Sequence, residues 1–555
     1  MTNTLRLFAS LVLLFVSVAV AHPAEEAIDL GGITEQHVMV PMRDGVKLSV
    51  YLYIPEGEGP WPALLEQRYA GARSESTRRE FAKLASYGYV VALQNFRGSQ
   101  LSEGKWVGYR ALGWGKQQDG YDTVEWLAKQ AWCDGKVGTF GSSQAGFAQN
   151  FLAVTQPPHL VCEYMIDTGL SLFHEGYRIG GATRPERFKG MRAVCRDPVD
   201  NDLLLVEWAR HPTFDDYWAQ EDCSQHFDKM NVPCFTVGSW YDYMCQGSVE
   251  SYMGRQHRGG PNSRGKQQLL IGPWLHGRFN KRSKVGELEY PENANFDMLR
   301  HMVRWFDHHL KGADNGIERD QTVKYYVMGA VGEPNAPGNV WRKADDWPVA
   351  ARNTNYYFRR AGELTTERPG KTEGNSSLVA DPLHPAEIPS RSFPGARDAR
   401  AFEQQNEVLT FTTEVLPEPV EWTGHLRAEL YVSSTAKDSD FIVRVCDVYP
   451  DGRSILLADY VRRARFREGF EKEVLMEPEK TYPLAFHIGW LSQIFNRGHR
   501  IRVTVASTGA PFYEPNPNTG KPQTIEFPAD AVVATNRVNH NAEYASHIIA
   551  PLVTE

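Results

Sequence analysis

Apolar and polar positions along the chain fall into two textures, with a break near residue 319. Before the break, short apolar runs alternate with stretches of helical spacing. The segment VMVPMRDGVKLSVYLYIP has alternating apolar residues on both sides of an RDG turn, which predicts a β-hairpin. WPALLEQRYAG predicts a strand running into a loop. A helix is predicted at EFAKLASYG, then a strand at YVVALQNF and a Gly/Ser-rich loop. Val124, Leu127, Ala128 and Trp132 recur at near-helical spacing. KVGTFG predicts a buried strand, and SQAGFAQNFLAVTQ the helix after it. Strands alternating with helices imply a parallel sheet covered on both faces.

From 158 to 231 strand signals fade and helical ones dominate, as in DNDLLLVEWAR and FDDYWAQED, so this stretch is expected to be a helical insertion. The α/β texture returns with VPCFTVGSWYD, KQQLLIGPWLHG and an amphipathic helix closed by Gly312. Beyond the break, short alternating runs separated by turn residues predict an all-β sandwich of jelly-roll size. The expected organisation is an α/β core over 22–157 and 232–318, a cap over 158–231, and a β-domain over 319–555.

The first residues read as an address. A short segment carrying Arg6 precedes an apolar run that ends in Ala19-Val20-Ala21, a small-x-small cleavage site. A signal peptide over 1–21 is therefore expected, with export and no membrane span after cleavage. A net charge of −8 over 555 residues, with no dense basic stretch, sets aside a nucleic-acid partner. Seven cysteines at irregular spacing contain no CxxC pair and form no zinc framework. In an oxidising compartment any disulfide is expected to join two of Cys162, Cys195 and Cys223, with Cys133 and Cys446 reduced and buried. The alternative is seven free thiols.

The candidate chemistry starts at GSSQAG, residues 141–146. A strand that turns sharply into a helix presents one side chain above the sheet, and G-x-S-x-G is its sequence form. The register Gly141-x-Ser143-x-Ala145 makes Ser143 the nucleophile, whereas Ser142 would put Phe140 where a small residue is needed. A serine hydroxyl needs a general base, and the base an orienting carboxylate. Asp242 follows the strand CFTVGSW, and His276 follows QQLLIGPW, so both leave strand ends in the order Ser, Asp, His. His257 is a rival base, but it precedes its strand. His308 and His309, adjacent on a helix, point in different directions and read as a solvated and packed pair. The oxyanion needs two donors. One is the backbone N–H of Gln144. The loop EQRYAGAR, which should supply the other, lacks the glycines that usually do so; there Tyr69 either donates through its hydroxyl or packs on the pocket wall.

At these motifs the chain resembles the cocaine-esterase-like (CocE/NonD) serine hydrolases, relatives of the X-Pro dipeptidyl-peptidases, α-amino acid ester hydrolases and glutaryl acylases. The matching stretches include RDGVKLSVYLYIP, FRGSQLSEGKW, AWCDGKVGTFGSSQAG, VGSWYDYM, IGPWLHG and RWFDHHLKG. The resemblance implies an α/β-hydrolase core with a helical cap and a C-terminal jelly roll. It puts the nucleophile on Ser143, the acid on Asp242, the base on His276 and the oxyanion tyrosine on Tyr69, with no metal or organic cofactor. Two positions depart from the pattern. Gln144 stands where an aromatic residue is frequent, and NFRG replaces D-x-R-G. The expected function is cleavage of a small-molecule ester or amide through an acyl-enzyme. X-Pro dipeptidyl-peptidase or β-lactam acylase activity is the alternative within the class. A non-catalytic binding protein with a lectin-like jelly roll is the alternative outside it.

Overall fold

The computed structural model describes residues 28–184, 190–277, 284–388, 395–522 and 529–554. The predicted signal peptide lies outside the described residues.

The first domain is built on a ten-stranded sheet. Its strands are β1 (Ile33–Pro41), β2 (Lys47–Pro55), β3 (Trp61–Arg68), β4 (Val90–Asn95), β5 (Cys133–Ser142), β6 (Leu160–Ile166), β7 (Cys234–Tyr241), β8 (Gln268–Leu275), β9 (Val323–Val327) and β10 (Val340–Ala344). They lie in the order β1-β2-β4-β3-β5-β6-β7-β8-β9-β10. Pairing is parallel from β4 across to β9 and antiparallel at both margins. Alternation along a strand divides the core in two. Val91 and Leu93 of β4 face a cluster with Phe81, Phe306 and Leu310, from α1 (Glu75–Ala85) and the late helix Met298–Lys311. Val90 and Ala92 face the opposite cluster with Val124, Leu127 and Leu152, from α2 (Asp119–Ala128) and α3 (Gln144–Thr155). The late helix begins at Asp297, whose side chain accepts the Arg300 N–H at 3.0 Å, and ends at Gly312 with φ 71°. A left-handed cap of that kind suits glycine.

Arg97 of the FRG segment ties this half together. Its guanidinium reaches Asp119 at the start of α2 at 2.7 Å and Asp44 in the RDG turn at 2.9 Å.

Two segments sit elsewhere than the sequence texture suggests. Within 158–231, β6 is a central strand of the sheet, between β5 and β7. Its signal is broken by Glu163, fully buried and bonded at 2.5 Å to the equally buried Arg255 of α4 (Cys245–Arg258). A charge inside a strand reads as surface until its partner, far along the chain, is known. Among the described residues the rest of the insertion is mostly helical, including Pro198–Arg210, capped by Asp197, with a short hairpin of Arg178–Ile179 and Ala182–Thr183. At the other margin, β9 and β10 lie beyond residue 319 yet extend the first sheet, with Leu269 opposite Val323. Alternation marks a strand without naming its neighbour.

The strands beyond residue 344 form an all-β domain with an eleven-stranded sheet. The long strand Val420–Ser434 pairs with three others, Tyr482–Phe495, Ala534–Asn539 and His547–Leu552. Buried ion pairs Arg463–Asp440 and Arg465–Asp438, both at 2.8 Å, stiffen this domain where it meets the insertion. The approach there is close: a Cβ on Gly180 would lie 1.7 Å from the Val461 carbonyl oxygen. Phe214 N–H also donates to the Phe470 carbonyl at 2.7 Å.

All seven cysteines are free thiols, so the disulfide expected among Cys162, Cys195 and Cys223 is not formed. Cys162 lies on β6 and not in the cap, and Cys133 is half-buried where full burial was expected.

Candidate active site

Ser143 sits between β5 and α3 with φ 57° and ψ −111°, a conformation that a residue with a Cβ rarely adopts. Its own N–H is held by the Ile166 carbonyl at 2.9 Å, and its carbonyl accepts the Phe147 N–H at 3.0 Å. The small neighbours are steric necessities. A Cβ on Gly141, where φ is 133°, would lie 2.5 Å from the Ala145 Cβ, and one on Gly146 would lie 2.9 Å from Thr168. This is the shape of a nucleophile elbow.

Asp242 leaves the end of β7 and His276 the end of β8, neighbouring parallel strands. Both carboxylate oxygens of Asp242 lie 3.0 Å from His276 Nδ1. The Asp242 side chain is wholly buried, whereas His276 is 32% exposed. An acid sealed behind an open imidazole fixes the tautomer that leaves Nε2 facing the site. Tyr243 stacks on His276 with ring centroids 5.1 Å apart. The rival His257 lies on α4 beside Asp346 at 3.4 Å, away from this pair. His308 bonds Glu318 at 3.0 Å, and His309 packs on Trp305.

Tyr69 follows β3 and stands in an aromatic corner with Phe96, Trp106 and Tyr109. The two positions that depart from the family pattern both act on its loop. Gln144 Oε1 accepts the backbone N–H groups of Tyr69 at 2.8 Å and Ala70 at 3.0 Å. Asn95 Nδ2 donates to the Ala70 carbonyl at 3.0 Å and the Arg68 carbonyl at 3.4 Å. A phenylalanine or tryptophan at 144 could not accept, and an ionised aspartate at 95 could not donate. The sequence marked Gln144 for its backbone N–H; its side chain is a second contribution, visible only once the loop lies beside it.

Asp167, one residue past β6, was not singled out from the sequence. It lies beside Asp242 and His276, with one donor atom from each of the three within 4.8 Å of the others, a spacing that a metal ion could also occupy. The signal was available: an aspartate after a strand end, as at Asp242, hidden because β6 was read as part of the insertion.

A cavity of about 390 Å³ opens between the insertion, α4 and the all-β domain. It reaches Asp242 and Tyr243, and its walls include Glu175, Glu250, Trp240 and Tyr460. Burial pushes the Glu175 carboxyl up to about 8 and that of Glu250 to about 7. Both therefore carry a proton for much of the time at neutral pH.

Known proteins resemble the chain over nearly its whole length. The X-Pro dipeptidyl-peptidase (S15) family matches residues 44–195 and 188–278, and the X-Pro dipeptidyl-peptidase C-terminal non-catalytic domain matches 315–549. A cocaine esterase of Rhodococcus sp. is 30% identical, with 93% of this chain and 98% of that protein covered. An aminopeptidase from a marine-sediment Thaumarchaeota archaeon shares the fold with a TM-score of 0.84 at 24% identity, covering 96% of this chain and 99% of that one. An α-amino acid ester hydrolase shares it at 0.83 and 24% identity, covering 97% and 100%.

Proposed function

The chain belongs to the cocaine-esterase-like (CocE/NonD) serine hydrolases, and on that premise we propose that it cleaves a small-molecule ester through an acyl-enzyme formed on Ser143. The observation that carries the reading is the strained elbow at Ser143, on the same sheet edge as the Asp242–His276 pair. Ser143 Oγ attacks the acyl carbon while His276 Nε2 takes its proton, and Asp242 steadies the imidazolium that forms. The tetrahedral oxyanion accepts from the Gln144 N–H and the Tyr69 hydroxyl. The Tyr69 and Ala70 amides, which would otherwise be the second donor, are taken by Gln144 Oε1. Collapse breaks the ester C–O bond, and His276 returns the proton to the departing alkoxide. Water then repeats the sequence on the acyl-enzyme and frees Ser143.

We assign the bulkier part of the substrate to the cavity beside Asp242 and Tyr243, whose volume falls in the usual range for small ligands. Its protonated carboxyls suit an uncharged group. Cleavage of the leader after Ala21 would deliver the enzyme outside the cytoplasm, and N-terminal sequencing of the exported protein tests that step.

A fluorophosphonate probe tests the chemistry. It is expected to label Ser143, identified by mass spectrometry, and Ser143→Ala is expected to abolish both labelling and p-nitrophenyl ester hydrolysis. Labelling at another serine, or an active Ser143→Ala variant, refutes the reading.

A further inference from the structure

We propose that Asp167 is a positioning residue of this site, a second carboxyl that holds the His276 loop and stands in reserve behind Asp242; the proposal rests on His276 being the base. The acyl-transfer steps need one acid, yet the fold delivers two. Asp167, Asp242 and His276 leave the carboxyl ends of β6, β7 and β8, three adjacent parallel strands. Such strands lie about 4.8 Å apart, and a donor atom of each residue falls within 4.8 Å of the others.

The placement of Asp167 is specific and costly. The residue is wholly buried and adopts φ 47°, a left-handed conformation that few residues other than glycine tolerate. Its N–H donates to the Val237 carbonyl at 2.9 Å. Oδ2 accepts the N–H of Gly277, the residue after His276, at 2.7 Å. Oδ1 is buried without a well-formed hydrogen bond, near the Ser239 hydroxyl. A plain loop anchor needs only the first oxygen. The second leaves a weakly held oxygen on a carboxyl that neighbours the Asp242–His276 pair, where an ionised carboxylate would be repelled by Asp242.

That repulsion decides which acid carries the charge. Two carboxyls in a dry site do not both ionise freely. Burial, and then the charge of Asp242, push Asp167 up to about 7, opposed by His276, the Gly277 N–H and Ser239. Asp242 has both of its oxygens on His276 Nδ1. Among the described residues Tyr243 stacks on His276, and Cys245 of α4 faces the carboxyls, its thiol pushed well up by burial and then by Asp242 and Asp167, and so neutral. When Asp242 loses its charge, the repulsion goes with it, and Asp167 becomes the carboxylate beside the imidazole.

The test compares kcat/KM from pH 5.5 to 9 on a p-nitrophenyl ester for the wild type, Asp167→Asn, Asp242→Asn and the double variant. Asp167→Asn keeps an acceptor for Gly277 and should melt near the wild type. It removes a carboxyl that ionises only near pH 7 and then favours the imidazolium, so its acid limb should move to lower pH. Losing a triad acid outright costs about 10⁴ in rate. Asp242→Asn is expected to lose only about 10 to 10², and the double variant far more than the product of the two single losses. A pH profile of Asp167→Asn that superimposes on the wild type, or single losses that simply multiply, overturns the proposal. Asp167→Ser repeats the comparison if the asparagine variant does not fold. His276→Ala separates the failures: near-normal activity there sinks the triad and this proposal with it, whereas a dead His276→Ala beside an unshifted Asp167→Asn profile sinks this proposal alone.

Discussion

Replacing Gln144 by leucine tests whether its side chain holds the oxyanion loop. The change keeps the size of the side chain and the backbone N–H that faces the oxyanion. What it removes is Oε1, the acceptor for the Tyr69 and Ala70 N–H groups at 2.8 and 3.0 Å. A hydrogen bond of this kind contributes about 0.5–1.5 kcal/mol net. The two together therefore hold the loop by about 1–3 kcal/mol, less where water can reach the freed amides. At about 1.4 kcal/mol per decade of rate, that is about 5- to 160-fold. The loss should fall on kcat, because the oxyanion exists only in the transition state and its intermediate, while KM changes little. Gln144→Glu is the control. It still accepts from both amides, so the melting temperature should hold, but its charge beside the oxyanion should depress kcat. Steady-state kinetics on a p-nitrophenyl ester with parallel thermal melts read both variants. A Gln144→Leu enzyme with kcat within twofold of wild type and an unchanged melting temperature would refute the clamp.

Tyr69→Phe should lower kcat by about 10² to 10³ with the fold intact, if the hydroxyl is the second oxyanion donor; near-normal kcat would put that donor elsewhere. Arg255→Met leaves Glu163 buried without its partner and should destabilise the protein by about 3–5 kcal/mol in denaturant melts. Adding Glu163→Gln should recover part of that loss, and a harmless Arg255→Met would mean that the pair is dispensable. Burial lowers His301 and His425 to about 4 and His487 to about 3, from an unfolded value of 6.5. Between those values the unfolded chain binds more protons, so stability should fall as pH drops from about 6.5 towards 4, and His301→Gln should flatten part of the slope. A melting temperature constant from pH 7 to 4.5 would contradict the burial of neutral imidazoles.

What the sequence determined by itself was local. Gly141, Ala145 and Gly146 announce the turn at Ser143 because only small side chains fit where a Cβ would meet its neighbour at 2.5 to 2.9 Å, a constraint carried within a few residues. Period-two alternation marked the strands, and Gly312 closed its helix, for the same reason. The aspartate and histidine that follow β7 and β8 could be picked out because strand ends, unlike strand partners, are visible along the chain. Everything that depends on a distant charge or neighbour waited for the tertiary structure. β6 was hidden because Glu163 is intelligible only beside Arg255, 92 residues on. Residues 323–344 read as any other β-texture until Val323 met Leu269 in the first sheet. With β6 unseen, Asp167 was one more loop aspartate. The amide of Gln144 had no visible task until the chain brought Tyr69, 75 residues earlier, against it. Hydrophobic periodicity records which face of an element is buried, whereas the identity of what lies against that face is settled by packing, through contacts that no short window of sequence contains.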